Sequence, residues 1–173
     1  IYLGVLVSLA VVIKTSQQAN IDFLKYSTDA KNKDFKLSYM KKIKDFKSEK
    51  HELRIINLKG IIHFSAADNL NQKFNKIFAP KTDFIIRMRN VTRIDITVLK
   101  VLKEFIQKVE NNNGNVMLTG INDKVYEILE KNKLIDQIGE ENIYTQQKEY
   151  FASTNEAIEK NASNLDDENT NKN

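Results

Sequence analysis

Three arginines and one acidic residue lie close together in the middle of the chain and could bind an anion. The arginines are Arg87, Arg89 and Arg93, and Asp95 and Thr97 follow them. Guanidinium groups bind phosphate and carboxylate through paired N–H donors. The same arginines could equally be exposed charges at a strand end that pair with Asp or Glu. The residue types alone leave both an anion-attracting patch and an ordinary charged strand end open.

A strand and a helix must position these side chains. The apolar run at residues 84–86 is typical of a buried strand. Residues 99–109 carry apolar side chains at helical spacing, so a helix follows. Asp95 and Thr97 lie at the join, where a helix N-terminus offers free N–H groups and the positive end of its dipole. Either residue could cap the helix, and capping is the simpler role, although the junction also suits a ligand.

Other reactive chemistry is scarce in this sequence. The chain has no cysteine, which excludes disulfide and thiol chemistry. Its two histidines, His51 and His63, are not spaced as a metal pair, and its glycines do not form a phosphate-binding loop. No serine, histidine and aspartate form a nucleophile motif. We therefore expect no enzyme activity, no metal and no cofactor, and the mixed charges argue against a nucleic-acid partner.

The two ends of the chain differ from its centre. Residues 1–13 carry no charge but are too few to cross a bilayer, which takes about 20 apolar residues. We predict that they are the end of a last transmembrane helix; a buried strand or helix of a soluble domain is the alternative. Residues 14–50 have an excess of lysine, which predicts a basic linker on the cytoplasmic side of a membrane. The polar residues 161–173 predict a disordered tail.

Residues 51–160 have the pattern of one compact α/β domain. Apolar runs on either side of the lysine–glycine pair at residues 59–60 predict a β-hairpin. Ser65 could cap the helix that follows, with Asp68 in the position of a capping box. Helices then alternate with further strands, which implies a parallel portion of the sheet. The predicted fold is a small mixed β-sheet with helices packed on it.

Three blocks of sequence occur in an order that resembles a known family. They are residues 60–68, residues 85–97, and Gly120 followed by residues 134–143. Together they resemble the cytoplasmic STAS domain of SulP-family anion transporters, over about residues 50–160. No single block would suffice; the ordered set carries the resemblance.

The resemblance implies a STAS-like α/β domain that regulates a secondary-active transporter of anions such as sulfate, bicarbonate or dicarboxylates. The transport site would lie in a membrane domain that precedes this chain. The protein would sit in the cell's inner (plasma) membrane, with this domain facing the cytoplasm. The implied partners are the membrane domain and cytosolic regulatory proteins, with a homodimer formed through the membrane domain and weak nucleotide binding suspected.

The loop at Asp95-Ile96-Thr97-Val98 is where this chain departs from the related bacterial anti-sigma-factor antagonists. Those proteins carry Asp-Ser-[Ser/Thr]-Gly there, and their phosphorylated serine falls on Ile96, which cannot be phosphorylated. The resemblance therefore argues against a phosphorylation switch, although Thr97 remains a candidate phosphosite. We predict a regulatory contact loop formed by Arg93, Asp95, Ile96 and Thr97.

Two other functions stay open at this stage. One is a freestanding STAS switch protein that binds a kinase or an anti-sigma factor, which would require a phosphorylatable residue in the loop, such as Thr97. The other is a nucleotide-binding module in which weak contacts to a nucleotide or anion come from Ser65, Arg87, Arg89 and Arg93.

Overall fold

A six-stranded β-sheet with helices on both faces forms the protein. The computed structural model describes residues 2–16, 20–27, 36–39, 52–149 and 151–170. The strands are β1 (Asn20–Ser27), β2 (Lys36–Tyr39), β3 (Glu52–Ile62), β4 (Thr82–Ile94), β5 (Val116–Ile121) and β6 (Ile143–Thr145). The helices are α1 (Tyr2–Ser16), α2 (Ala67–Ile77), α3 (Ile96–Glu110), α4 (Asp123–Lys131), α5 (Leu134–Ile138) and α6 (Ala152–Thr170), with 3-10 turns at Phe64–Ala66 and Glu140–Asn142.

The sheet is mixed, as the sequence predicted. Its strand order is β2-β1-β3-β4-β5-β6. Strands β3 to β6 are parallel, whereas β1 is antiparallel to both β2 and β3. Because β3 to β6 run in the same direction, their last residues meet at one edge, which we call the carboxyl edge. Loops from this edge lead into α2, α3 and α4.

Two hydrophobic clusters hold the helices on the sheet. The larger cluster lies between the sheet and α2 to α5, and its centre contains three phenylalanines. Phe105 stacks on Phe74 with ring centroids 4.2 Å apart and meets Phe84 edge-on at 5.0 Å. The smaller cluster lies on the opposite face, where α6 packs on Ile85 and Met117. These contacts explain the helical spacing of apolar residues in α3.

The predicted hairpin at residues 59–60 is wrong. Residues 52–62 form one continuous strand, β3, which pairs in parallel with β4. Gly60 has φ +81° and the register with β4 shifts just after it. A glycine at positive φ can produce a bulge within a strand as well as a tight turn, and here it bends β3 without reversing it.

Two of the predicted boundaries also need correction. The sequence predicted a basic linker where the structure has two strands: β1 at residues 20–27 and β2 at residues 36–39 extend the sheet. The rest of that linker after α1 lies outside the described residues, namely 17–19, 28–35 and 40–50. Helix α6 continues to Thr170 through the predicted disordered tail, and residues 171–173 lie outside the description. Extending an existing helix needs no new nucleation, so a polar end can follow an anchored start.

Helix α1 presents apolar side chains to its surroundings on every side. The larger ones between Tyr2 and Val12 are 55–87% exposed. None of the described helices is long and apolar enough to cross a bilayer by itself. The assignment of residues 1–13 to the end of a transmembrane helix therefore stays a prediction.

Tyr144 on β6 gives a test of how α6 packs. Its ring is buried in the smaller cluster, and its hydroxyl has no hydrogen-bond partner among the described residues. Burial, and then the charges of Glu156 and Glu141, raise the pKa of Tyr144 above its usual value. The folded state therefore favours the neutral phenol, and this contribution to stability is lost as pH rises through the raised pKa.

We expect Tyr144→Phe to change the free energy of unfolding near neutral pH by no more than about 1 kcal/mol, because the hydroxyl makes no bond that the variant would lose. The variant should also lose less stability than the wild-type chain under alkaline conditions. Urea unfolding of both proteins across the alkaline range measures this difference. Parallel loss of stability in the two proteins would contradict it.

Candidate functional site

The loop between β4 and α3 is held in place by its own aspartate. Asp95 has an extended backbone, and its carboxylate accepts a hydrogen bond from the Thr97 amide at 3.0 Å. The Asp95 amide donates to the carbonyl of Ile62 at 3.1 Å, which joins the ends of β3 and β4. The predicted capping role of Asp95 is confirmed. The helix start and two strand ends thus form one rigid unit.

An apolar surface lies around this capped helix start. Ile96 is 69% exposed, Phe64 is 67% exposed and Ile61 is 55% exposed. The backbone bond from Asp95 to Ile62 places these three residues near one another along adjoining segments. We call Ile61, Phe64 and Ile96 the edge patch. Ile61 precedes the buried Ile62 on β3, so its side chain lies on the opposite face of the sheet from the larger cluster, and the three residues share the carboxyl edge and not one face.

Sequence reasoning found only one member of the edge patch. Ile96 was recognised through its place in the STAS loop, but Ile61 and Phe64 were assigned only to the second strand of the predicted hairpin. For an apolar residue near a strand end, the sequence does not show whether the side chain points to the core or to solvent. A continuous β3 was needed to show that both residues lie at the carboxyl edge.

Ser65 lies in the same region but does not cap α2. The helix begins at Ala67, and its N-cap residue Ala66 makes no side-chain capping bond. A 3-10 turn over Phe64–Ala66 comes first, closed by the Ala66 amide donating to the His63 carbonyl at 2.9 Å. That turn displaces the helix start by two residues, so the predicted capping role of Ser65 is wrong.

The structure does not bring the predicted anion contacts together. Arg87 is 2% exposed, donates to Asn57 Oδ1 at 3.0 Å and lies 4.8 Å from the centroid of the Phe151 ring. Arg89 donates to the main-chain carbonyl oxygens of residues 147 and 149 at 2.8 and 3.0 Å. Only Arg93 is exposed near the loop. Arg87 and Arg89 therefore connect the sheet to α6 and the segment before it.

A shallow groove of about 170 Å³ continues from the edge patch along α3. Ile96 and Leu99 form one side of it, and Leu134 lies on the other. Lys100 and Lys103 on the exposed side of α3 also line it. The groove thus combines an apolar lining with positive charge, which suits contact with an apolar surface bearing negative groups.

We expect Asp95→Ala to lower the free energy of unfolding by about 1 kcal/mol, because the Thr97 amide loses its acceptor at the start of α3. Asp95→Asn is the matched control and should retain most of the cap, since an asparagine oxygen can accept the same bond. Urea unfolding of the three proteins measures the difference. Equal losses in the two variants would show that the cap is not the cause.

The sheet order, the capped loop and the helices on both faces define a small mixed α/β domain with an exposed loop at the start of α3. The STAS domain family model matches residues 47–157. The chain therefore belongs to the STAS domain family.

Several solved structures resemble this chain. A sulfate transporter family protein from Wolinella succinogenes is 28% identical, with a TM-score of 0.50, and the match covers 62% of this chain and 88% of that one. The murine Solute Carrier 26 family member A9 anion transporter, in the inward-facing state, is 18% identical with a TM-score of 0.58. That match covers 84% of this chain but 24% of the transporter, and at this identity it shows the fold alone.

A third structure, the STAS domain of a SulP transporter from Vibrio cholerae, is 26% identical with a TM-score of 0.47, over 62% of this chain and 83% of that one. Among the curated proteins, no sequence matches this chain. The assignment to the STAS domain family thus rests on the family model over residues 47–157.

Proposed function

We propose that this chain is the cytoplasmic regulatory and interaction domain of a secondary-active anion transporter of the sulfate, bicarbonate or dicarboxylate class. The observation that carries the proposal is the STAS match over residues 47–157, together with 28% identity to a sulfate transporter family protein. The transport site would lie in a membrane domain outside this chain. The domain itself would act without catalysis and without a cofactor.

The contact loop of Arg93, Asp95, Ile96 and Thr97 is the proposed working surface of the domain. Ile96 occupies the position of the antagonists' phosphorylated serine and exposes 69% of its surface. Asp95 is engaged as a helix cap, which leaves the neighbouring apolar side chain displayed on a fixed backbone. A fixed, exposed apolar residue supports a role in contact with a partner.

The proposed location is the inner (plasma) membrane, with the domain facing the cytoplasm. The exposed apolar side chains of α1 and the lysine excess at residues 14–50 support it. The proposed partners are the transporter's membrane domain and cytosolic regulatory proteins. A homodimer would form through the membrane domain.

Anion exchange by the full-length protein in proteoliposomes tests this function. We expect the protein to exchange at least one of labelled sulfate, bicarbonate and succinate. The 173-residue chain, reconstituted in the same way, is the matched control and should give no flux. Absence of flux for all three anions, or a gene that encodes no membrane spans before Ile1, would contradict the proposal.

A freestanding switch protein is the second candidate, because the STAS match lies within residues 47–157 and does not itself require a membrane domain. Thr97 is exposed and adjoins the position of the antagonists' serine. Mass spectrometry after incubation with ATP and cytosolic kinases separates the two functions. The transporter domain should leave Thr97 and Ser65 unmodified, and stoichiometric phosphate on either would favour the switch.

A further inference from the structure

The pairing of β1 with β3 shows which end of the sheet lies near the end of the apolar helix α1. Helix α1 ends at Ser16 and β1 begins at Asn20, which pairs with Lys59 on β3. Four Cα–Cα steps separate Ser16 from Asn20, and an extended chain covers about 14 Å in that number of steps. The end of α1 must therefore lie within about 14 Å of Asn20, which pairs with Lys59 near the end of β3. This part of β3 leads directly to the carboxyl edge.

The carboxyl edge is also where the folded domain displays its apolar residues. Within residues 53–149 and 151–163, four large apolar side chains are exposed, namely those of Ile61, Phe64, Ile96 and Phe151. Three of these four form the edge patch. Ile61 follows Lys59 by two residues on the same strand, so the edge patch and the end of α1 share one end of the sheet.

Charges of both signs lie around the edge patch. Arg93, Lys100 and Lys103 are exposed around the start of α3. The exposed acidic groups there include Asp68 of α2 and Glu104 of α3, and the Asp95 carboxylate accepts the capping bond. The cations can reach lipid phosphate groups while the exposed apolar side chains enter the interface of a membrane.

We infer that the carboxyl edge faces a lipid bilayer, with Phe64 and Ile96 inserted among the lipid headgroups beside the membrane-embedded α1. This inference rests on the proposed membrane location and adds to it the face that the domain turns toward the lipid. It assigns Phe64 and Ile96 to lipid contact, and the exposed Arg93 and Lys100 to the phosphate groups beside them. Both features arise from one end of the sheet, so a single orientation satisfies them.

Site-specific fluorescence on the 173-residue chain tests the orientation. The chain has no cysteine, so Phe64→Cys, Ile96→Cys and Asn111→Cys each carry one environment-sensitive dye. Asn111 is exposed and follows α3 at the opposite edge, where the neighbouring Asn112 carbonyl accepts a bond from the Lys81 amide just before β4. The vesicles contain phosphatidylcholine and phosphatidylglycerol, with or without brominated acyl chains as quencher.

We expect dyes at positions 64 and 96 to shift to the blue and to be quenched by brominated lipid, while the dye at position 111 stays in water. The double variant Phe64→Ser with Ile96→Ser should bind the vesicles roughly tenfold more weakly, because two large apolar groups no longer insert. Equal dye behaviour at all three positions would overturn the inference, and so would a chain that remains unbound.

The two proposals can fail separately. Dyes at positions 64 and 96 that stay in water on vesicle-bound chain would reject lipid contact, whereas anion exchange by the full-length protein would still support the transporter function. Absence of anion exchange would reject the transporter function, even if the dyes report lipid contact.

Discussion

Phe105→Ala is expected to lower the free energy of unfolding by about 3–5 kcal/mol, the largest effect of any single change considered for this chain. The side chain is 4% exposed and lies between α2 and β4, stacked on Phe74 and edge-on to Phe84. Its removal leaves a cavity at the centre of the larger cluster and ends both ring contacts. The two neighbouring rings belong to different elements, α2 and β4, which limits how far they can move in to fill the space.

Guanidinium chloride unfolding, followed by circular dichroism, measures this loss. Gln107→Ala is the matched control because it lies on the exposed side of the same helix and should change the free energy by no more than about 0.5 kcal/mol. A loss below about 1.5 kcal/mol for Phe105→Ala would contradict the packing described for the core.

Arg87→Leu is expected to cost about 2–4 kcal/mol, because a buried arginine here connects the sheet to α6. The variant removes the donor to Asn57, which is itself 2% exposed, and the cation above the Phe151 ring. A buried amide oxygen that loses its hydrogen-bond donor lowers the stability of the fold, because its lost hydration is no longer replaced by a hydrogen bond. The contact that holds the start of α6 is lost at the same time.

A double-variant cycle separates these contributions. Asn57→Leu combined with Arg87→Leu should lower the free energy of unfolding by less than the sum of the two single changes. In the double variant, neither Arg87 nor Asn57 is left buried without its hydrogen-bond partner. Arg89→Ala is the control, since its bonds are to exposed main-chain carbonyl groups, and it should cost about 1 kcal/mol or less. Additive losses at positions 57 and 87 would show that the two side chains do not depend on each other.

Local sequence pattern was enough for the core-facing side of α3 and for its start. The spacing of Leu99, Leu102 and Phe105 indicates an amphipathic helix, and these residues do face the core. Asp95 sits directly before that pattern and caps it. Both features depend on residues within a few positions of each other, which a single sequence displays directly.

Features that depend on distant residues could not be predicted in this way. Arg87 is buried because Asn57, thirty positions earlier, accepts its hydrogen bond. Strands β1 and β2 were missed because a lysine-rich segment reads as a linker until its pairing with β3 is known. Gly60 misled the prediction because a positive-φ glycine serves both a tight turn and a bulge, and only the parallel neighbour β4 decides between them.

The exposure of the edge patch also depends on parts of the chain that are distant in the sequence. Apolar residues in strand-like segments predict core positions, and most of them in this chain are indeed buried. Two exceptions lie at the carboxyl edge: Ile61 is exposed beside the buried Ile62, and Phe64 is exposed in the 3-10 turn that follows β3. Exposure of this kind marks a surface that the fold leaves available for contact.

The effect of Ile96→Asp on anion exchange by the full-length protein tests the central claim most directly. The change places a charge on the contact loop without removing the Asp95 cap, and Gln107→Asp on the exposed side of α3 is the control. If the loop couples this domain to transport, Ile96→Asp should alter the exchange rate by about fivefold or more while the control leaves it unchanged. Unchanged exchange in a correctly folded, membrane-inserted Ile96→Asp protein would contradict the account.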